Sequence, residues 1–338
     1  FCQLVVGGQN HGIHTVLVPL RDENHQTLAG ITVKDNGYKM GLNGVDNGRI
    51  WFDNVSVPVE NLLNRYGSID ENGQYQSSIQ NPSKRFFTML GALVGGRVSV
   101  ALGSNTAAKK ALDIAIRYAL KRRQFKTLSE EQETLLLDYP THQERLFPLL
   151  AKSYALTFAL ETLRQKFVES AALDDKREVE ALAAGLKSYA SWHAIDSIQE
   201  CREACGGKGY LAENELPDLK ADTDIFATFE GDNYVLLQLL AKSILTDFKQ
   251  EFSDGGYMAI ARHLLKRVST QWQEFNPVAT TDAEHLLSAD FHREAFAYRA
   301  QKLLFTLSDR MRSFMAKKIN PNEIFLRTQT HMVALAMA

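Results

Sequence analysis

The spacing of apolar residues changes once along this chain, near Pro82, and that change restricts the fold more than any other feature. Before Pro82, short β-branched or apolar runs alternate with turn sequences rich in Gly and Asn, which is the pattern of strands joined by tight turns. The predicted strands cover residues 4–6, 13–20, 31–33 and 49–57. No Gly-x-Gly-x-x-Gly follows a strand, so a doubly wound nucleotide-binding sheet is disfavoured.

After Pro82, apolar residues recur every three or four positions, which indicates helices. The predicted helices cover residues 85–126, 130–170, 176–205, 223–250, 256–274 and 283–317. We therefore expect an α+β fold that is mostly α. Its predicted parts are a β-rich unit over 1–66, a polar linker over 67–83, a helical bundle over 84–250 and a further helical segment over 251–338.

Composition and charge disfavour several classes of function. The 338 residues are 45% hydrophobic and 23% charged, as in an ordinary globular protein. A formal net charge of −2 gives no electrostatic reason to expect nucleic acid or an anionic membrane as a partner. No run approaches the roughly 18 apolar residues of a membrane span. Cys2, Cys201 and Cys205 have no partners at zinc-ligand spacing, so we predict no metal site.

One carboxylate is distinguished by its neighbours, because Glu230 lies between Phe229 and Gly231 in an otherwise apolar stretch. A carboxylate that loses hydration takes up a proton more readily, as a general base requires. We expect Gly231 to remove a side chain where a ligand comes close. Upstream, the turn that contains Gly206 and Gly207 can end a helix, and its glycines can also expose backbone N–H groups to a cofactor.

These two segments resemble the catalytic-base loop and the glycine turn of the acyl-CoA dehydrogenase and acyl-CoA oxidase family of flavoproteins. Residues 51–63, WFDNVSVPVENLL, resemble the strand that closes the family's β domain. Arg97 precedes Tyr118 by 21 residues, as in the family's long helix, where a Tyr-x-x-x-Arg-x-x-Phe element begins at that tyrosine. The resemblance covers nearly the whole chain but not the family's N-terminal helical domain.

Three features resemble the oxidase branch in particular. Residues 138–150, DYPTHQERLFPLL, match a run that opens an oxidase helix, and residues 228–233 have the Thr-Phe-Glu-Gly-Asp-Asn form of the base loop. The chain also continues well past Glu230, as oxidases and very-long-chain dehydrogenases do and short- and medium-chain dehydrogenases do not. The resemblance thus implies the end of a β-barrel-like middle domain, an acyl-CoA dehydrogenase-type bundle and the start of an oxidase-type C-terminal helical domain. It also implies a fragment that lacks the true C-terminus.

The resemblance implies a role for each matching residue. Glu230 would remove the α-proton of an acyl-CoA, with the backbone N–H at its own position polarising the thioester carbonyl. Some relatives carry the base at the position of Gly96, which the residue type excludes here. Arg97 and Gly231 would contact the substrate, Arg97 at its coenzyme A portion. FAD would be held by Arg122, Phe125, Gln143, Gly206, Gly207, Asp232 and Asn233.

Two of these cofactor contacts are expected across a subunit interface. Arg122 would reach the flavin pyrophosphate of a neighbouring subunit, because a guanidinium matches pyrophosphate oxygens bidentately, and Phe125 would pack beside it. Gln143 would reach the adenine end. One departure concerns Glu203, which stands where the family commonly has Gln, so that side chain is not expected to contact the flavin.

The resemblance predicts an FAD-dependent enzyme that converts acyl-CoA to trans-2-enoyl-CoA, with O₂ as electron acceptor and H₂O₂ as product, acting as at least a homodimer. One alternative is an acyl-CoA dehydrogenase that passes electrons to an electron-transfer flavoprotein. Another is a non-catalytic homologue that acts as a binding module. The expected location is cytoplasmic if the protein is bacterial and peroxisomal if it is eukaryotic.

Overall fold

The computed structural model describes residues 1–126, 131–172, 175–250 and 282–338. Within them, six short strands form three separate antiparallel pairs. The pairs are β1 (Cys2–Val6) with β2 (Gln9–His14), β3 (Ile31–Asp35) with β4 (Gly48–Phe52), and β5 (Ser68–Ile69) with β6 (Tyr75–Gln76). Gly7 and Gly8 turn the chain between β1 and β2 with φ of 56° and 82°, a conformation that glycine adopts without strain.

The second predicted strand is wrong over most of its length, and the fourth, expected over 49–57, ends at Phe52. The strand expected over 13–20 ends at His14, and beyond it Val16 forms an isolated bridge with Leu62. Pro19, which has no N–H to donate to a ladder, lies in the part that is not strand.

The predicted linker over 67–83 contains β5 and β6 and is tied to the rest of the chain. Arg85 is only 2% exposed, donates to the Ile79 carbonyl at 2.8 Å and lies over the Tyr75 ring at 5.3 Å. The Tyr75 hydroxyl is 3.0 Å from Nε2 of His14. The polar composition of this segment suggested a linker. Composition does not reveal a partner such as His14, which lies 61 residues from Tyr75 in the sequence.

Nine helices lie within the described residues, joined by turns that include several short 3₁₀ segments. They are α1 (Pro82–Leu90), α2 (Val94–Ala119), α3 (Pro140–Glu169), α4 (Arg177–Ala204), α5 (Leu216–Asp224), α6 (residues 233–250), α7 (Ala283–Leu287), α8 (Ala289–Ala316) and α9 (Pro321–Ala336). The expectation of an α+β fold that is mostly α is confirmed.

Four predicted helices differ from the observed ones. The helix expected over 130–170 begins at Pro140, and the helix expected over 283–317 is divided at Ser288 into α7 and α8. The helix expected over 85–126 is divided by a 3₁₀ turn at Gly91–Leu93 and ends at Ala119. The helix expected over 223–250 is interrupted between α5 and α6, and the interruption carries Glu230. The helix expected over 256–274 lies outside the described residues.

Helices α2, α3 and α4 form the core, with α2 and α4 running parallel and α3 antiparallel to both. At one end, Val94 and Val98 of α2 pack in one cluster with Leu163 of α3 and Val179 of α4. At the other end, the corresponding cluster contains Ala111, Ala115, Leu146, Ile198 and Cys201. Many side chains of α2 are small, so this helix packs closely against α3 and α4 along its whole length. This packing fixes the two ends of the bundle relative to each other.

The β region contacts the bundle just before Glu230. A Cβ on Gly41 would lie 2.1 Å from the Ala221 carbonyl oxygen of α5, so the loop after β3 packs directly against that helix. The Leu42 N–H donates to Asp222 Oδ1 at 2.6 Å. This contact fixes the position of α5, which leads into the loop of Glu230.

Beyond that loop, α6, α8 and α9 share a small apolar core that includes Ala241, Leu307, Met332 and Leu335. Within the described residues, no single helix is both long and apolar enough to cross a bilayer. Helices α1 and α2, which are bent by 42° at their junction, reach that length and composition only when they are counted together.

Candidate functional site

The loop between α5 and α6 places Glu230 in an uncommon backbone conformation. Its φ is 55°, and Gly231 follows with a φ of 105°. A non-glycine residue in the left-handed region persists only where its surroundings hold it there. Phe229, immediately before it, stacks on Phe226 with ring centroids 5.2 Å apart. The apolar context expected from the sequence is therefore present on one side of the carboxylate.

Gly96 of α2 makes room for the Glu230 carboxylate. A Cβ built on Gly96 would lie 2.7 Å from Cδ and from both carboxylate oxygens, so any other residue would displace the group. Oε2 of Glu230 is buried and has no hydrogen-bond partner among the described residues. An unpartnered carboxylate oxygen can accept a proton, which is the capacity that a general base needs.

Arg97, the next residue on α2, holds the loop from the same side. Its Nε donates to the backbone carbonyl of Glu230 at 3.2 Å. Burial lowers the pKa of Arg97, while the nearby carboxylates of Glu230 and Glu180 oppose that shift. The structure therefore brings the predicted substrate residue Arg97 to the base itself and shows its Nε engaged with the base loop.

Gly231 is required by the chain's own packing. Its φ of 105° is accessible mainly to glycine, and a Cβ there would lie 2.9 Å from Cδ2 of Leu236. The sequence suggested the approach of a ligand as the reason for this glycine. The structure supplies an internal reason for it, and the approach of a ligand stays a prediction.

The two residues after Gly231, both predicted to contact FAD, have structural roles within the chain. Asp232 is exposed, and its Oδ1 accepts from the Tyr234 N–H at 3.0 Å, which caps the start of α6. Asn233 is 1% exposed, and its Nδ2 donates to Ser191 Oγ at 2.9 Å and to the Ser188 carbonyl at 3.2 Å. Because the Asn233 amide is enclosed and hydrogen-bonded, we do not retain it as a cofactor ligand.

Lys187 of α4 is a residue at this site that the sequence prediction missed. Its side chain is 0% exposed, and Nζ donates to the Gly231 carbonyl at 2.7 Å and to Asn233 Oδ1 at 3.0 Å. A signal was present, because Lys187 lies four residues after Ala183 and three before Ala190 on the apolar face of a helical pattern. A charged residue on such a face needs a buried partner.

A second group of predicted residues lines a cleft of about 670 Å³ at the far ends of α2 and α4. Four of them, Arg122, Phe125, Gly206 and Gly207, lie together there. The chain after α2 is fixed by backbone hydrogen bonds to the segment before α3, including Leu136 N–H to the Arg122 carbonyl at 2.9 Å. Phe125 is 68% exposed and has a φ of 58°.

The glycines in the turn after α4 differ in their surroundings. A Cβ on Gly209 would lie 2.0 Å from the Arg202 carbonyl oxygen, so Gly209 permits the turn to pack against the end of α4. A Cβ on Gly206 or Gly207 would meet nothing within 4 Å. These two positions therefore leave the backbone open toward the cleft, and the helix-ending interpretation of the turn is compatible with the cofactor interpretation.

Gln143, predicted to reach the adenine end of FAD across a subunit interface, is not among the residues that line this cleft. Its Nε2 donates to the Leu137 carbonyl at 2.8 Å at the start of α3. His142 and Arg145, on the same helix, line the cleft in its place. Arg145 pairs with Glu200 at 2.9 Å and with Glu203 at 3.1 Å. Glu203, where the family commonly has Gln, is therefore compensated by a cation.

The two groups of residues are separated by the length of α2. Gly96 and Ala119 lie about 35 Å apart along that helix, at about 1.5 Å of rise per residue. Within the described ranges, no cluster of three or more His, Cys, Asp or Glu side chains is arranged to hold a metal ion.

Comparison with known proteins gives one family. Residues 90–245 match the family model described as the acyl-CoA oxidase C-alpha1 domain. The chain is 40% identical over 336 residues to acyl-coenzyme A oxidase 2 of Arabidopsis thaliana, which is named as peroxisomal, and the match covers 98% of this chain and 48% of that protein.

Solved structures agree with this match. An acyl-CoA oxidase 1 from Yarrowia lipolytica superposes with a TM-score of 0.85 at 31% identity, covering 99% of this chain and 50% of that one. An acyl-CoA oxidase-1 from Caenorhabditis elegans, described as complexed with FAD and ATP, gives a TM-score of 0.81 at 26% identity, covering 99% of this chain and 49% of that one. The chain thus spans about half the length of the relatives it matches.

Proposed function

Because this chain belongs to the acyl-CoA oxidase family, we propose that it carries the base and part of the cofactor site of an enzyme that converts acyl-CoA thioesters to trans-2-enoyl-CoA, with O₂ as electron acceptor and H₂O₂ as product. The observation that carries this proposal is the seat of the Glu230 carboxylate against Gly96, with Arg97 on the loop carbonyl. That arrangement presents one fixed carboxylate, as removal of an α-proton requires.

FAD fits the cleft at the other end of the bundle by charge and by space. Arg122 is exposed there and suits a pyrophosphate, while the exposed ring of Phe125 offers a flat apolar surface. Gly206 and Gly207 leave the backbone open to a ligand. When bound, FAD supplies the acceptor for the β-hydrogen, which leaves the acyl chain as hydride.

In the proposed reaction, this chain moves the proton and fixes the loop that moves it. Glu230 takes the α-proton of the thioester onto a carboxylate oxygen, and the backbone N–H at its own position polarises the thioester carbonyl. Arg97 holds the peptide that follows Glu230 through its 3.2 Å hydrogen bond. We retain the contact of Arg97 with the coenzyme A portion as a proposal for its remaining N–H groups.

The separation between the two groups of residues supports a shared cofactor. About 35 Å along α2 exceeds the reach of one extended dinucleotide, so a single FAD in the cleft cannot also approach Glu230 of the same chain. We therefore propose at least a homodimer, in which Arg122 of one subunit serves the FAD that reacts at Glu230 of the other. The name of the Arabidopsis relative supports a peroxisomal location if the protein is eukaryotic.

The test is an assay of the protein expressed from its complete coding sequence. A panel of acyl-CoA substrates in air is expected to give stoichiometric H₂O₂ without an added electron carrier. If the substrate-reduced protein persists for minutes in aerated buffer and is discharged only by an electron-transfer flavoprotein, the enzyme is a dehydrogenase. If the purified protein shows no flavin absorption and takes up no FAD, it is a non-catalytic homologue.

A further inference from the structure

Lys187 is fully buried, which is unusual for a charged side chain. Among the described lysines and arginines, Lys187 and Arg85 are the two that are almost wholly enclosed, at 0% and 2% exposure. Arg85 lies in the β-region contact, whereas Lys187 lies directly under the loop of the proposed base. Enclosing an ammonium group is costly unless hydrogen bonds or opposite charges replace its lost hydration.

The contacts of Lys187 are directed at the backbone of the loop. Nζ donates to the Gly231 carbonyl at 2.7 Å and to Asn233 Oδ1 at 3.0 Å. The preceding carbonyl, that of Glu230, accepts from Arg97 Nε at 3.2 Å. Two consecutive carbonyls are therefore held by two cations from different helices, Arg97 from α2 and Lys187 from α4. Together these bonds fix the two peptide planes that follow Glu230.

The two hydrogen bonds hold a loop whose backbone is strained. Glu230 at φ 55° adopts a conformation that needs outside support, and in that conformation its carboxylate lies against Gly96. Asn233 strengthens the attachment, because it is itself held by Ser188 and Ser191 of α4. The loop is thus fastened to α4 through a buried network of which Lys187 is the charged member.

We propose that Lys187 is a positioning residue that keeps Glu230 seated against Gly96 by holding the Gly231 carbonyl. It touches neither the substrate nor the cofactor in this role, and its effect on the reaction passes through the loop. The inference rests on the proposed function, since it assumes that Glu230 is the base.

The charge of Lys187 gives this role a dependence on pH. Burial lowers the pKa of Lys187 to about 8, with Arg97 acting in the same direction and the carboxylates of Asp232 and Glu230 opposing it. These are the charged groups that face Lys187 from α2 and from the base loop. As pH rises through about 8, the ammonium loses its proton and its charge-assisted bond to the Gly231 carbonyl weakens. Turnover by the intact enzyme is therefore expected to decline over that range.

The test is the variant Lys187→Met in the full protein, with Lys109→Met as the matched control because Lys109 is an exposed lysine on α2. We expect kcat to fall by about 10-fold to 100-fold in Lys187→Met, since small misplacements of a reacting group have effects of that order. The KM for acyl-CoA and the FAD content should stay within about twofold of wild type, and the decline near pH 8 should disappear. Lys109→Met should match wild type in each respect.

Two comparisons make the outcome decisive. A folded, FAD-containing Lys187→Met enzyme with wild-type kcat and an unchanged pH profile overturns the proposal, provided that Glu230→Gln is inactive in the same assay. If Glu230→Gln is itself active, the proposed function has failed instead. If Lys187→Met does not fold, Lys187→Gln is measured in its place, because it removes the charge of the side chain. A folded, FAD-containing Lys187→Gln enzyme with wild-type kcat and an unchanged pH profile then overturns the proposal.

Discussion

The position of the Glu230 carboxylate depends on residues that take no part in moving the proton. Its left-handed backbone costs about 1–3 kcal/mol, and the hydrogen bonds from Arg97 and Lys187 to the two following carbonyls offset that cost. Gly96 contributes only the absence of a side chain. The proposed base therefore depends on the hydrogen bonds that hold its loop and on the space at Gly96, as well as on the carboxylate itself.

Replacing Glu230 by Gln should remove turnover while leaving flavin and substrate binding largely intact, because the side chain keeps its shape and loses its basicity. A general base contributes about 10²-fold to 10⁴-fold in rate. The measurement is kcat with a saturating acyl-CoA, together with the FAD content of the purified variant. The control is Glu213→Gln, at an exposed position. More than about a tenth of wild-type activity in Glu230→Gln would contradict the assignment.

Replacing Gly96 by Ala should separate activity from stability. The new Cβ would lie 2.7 Å from the Glu230 carboxylate and displace it, so kcat should fall by at least about 10-fold. The carboxylate is the end of a flexible side chain, and alanine is favoured over glycine within a helix by about 0.5–1 kcal/mol, so Tm should be maintained.

The control for Gly96→Ala is Gly103→Ala on the same helix. A Cβ on Gly103 would make an ordinary contact of 3.9 Å with Phe226, so activity should be retained. Equal activity of the two variants would show that the space at Gly96 is not needed for the reaction.

At the scale of elements, α2 and α4 organise both groups of residues. Their starts meet at the base loop and their ends meet at the cleft, because they run parallel in the core. The loop interrupts a stretch whose apolar spacing predicted a continuous helix over 223–250. Local spacing is compatible with a helix there, and the interruption depends on contacts from α2 and α4 that periodicity does not contain.

The cleft wall gives a prediction at the same scale. Glu203→Gln should strengthen FAD binding slightly, because Arg145 would lose one of its two carboxylate partners and the wall would become more positive. Both side chains are more than a third exposed, so solvent screening limits the gain to a few-fold at low salt. Titration of the apoprotein with FAD at low and high salt checks this. A gain that is independent of salt would contradict the electrostatic explanation.

At the scale of the whole molecule, the distance between the proposed base and the cleft is the reason for proposing that subunits share FAD. Arg122→Ala should weaken FAD retention by about 10-fold to 150-fold, since losing a charge-assisted hydrogen bond costs about 1.5–3 kcal/mol. The exposed neighbour Lys121 provides the control in Lys121→Ala.

Sedimentation of the full-length protein tests the other half of this prediction, since a shared FAD requires at least a dimer. A monomer that retains its flavin normally would contradict both the role of Arg122 and the shared cofactor. A dimer whose Arg122→Ala variant binds FAD as wild type would contradict the role of Arg122 alone.

The sequence by itself determined the class of fold, the family and the identity of the candidate base. Each of these depends on local patterns: the change of apolar spacing near Pro82, the motifs at 51–63 and 138–150, and the Phe-Glu-Gly context of Glu230. Such patterns are visible in one dimension because strand and helix periods, turn residues and neighbouring side chains are properties of adjacent positions.

Only the tertiary structure decided which residues face one another. It paired Gly96 with Glu230 and Lys187 with Gly231, enclosed Asn233, bound Gln143 to the Leu137 carbonyl and brought Arg145 to the cleft. These relations join residues up to 134 positions apart in the chain. They depend on how closely small side chains allow α2 and α4 to pack, and a pattern of neighbouring residues carries no information about that distance.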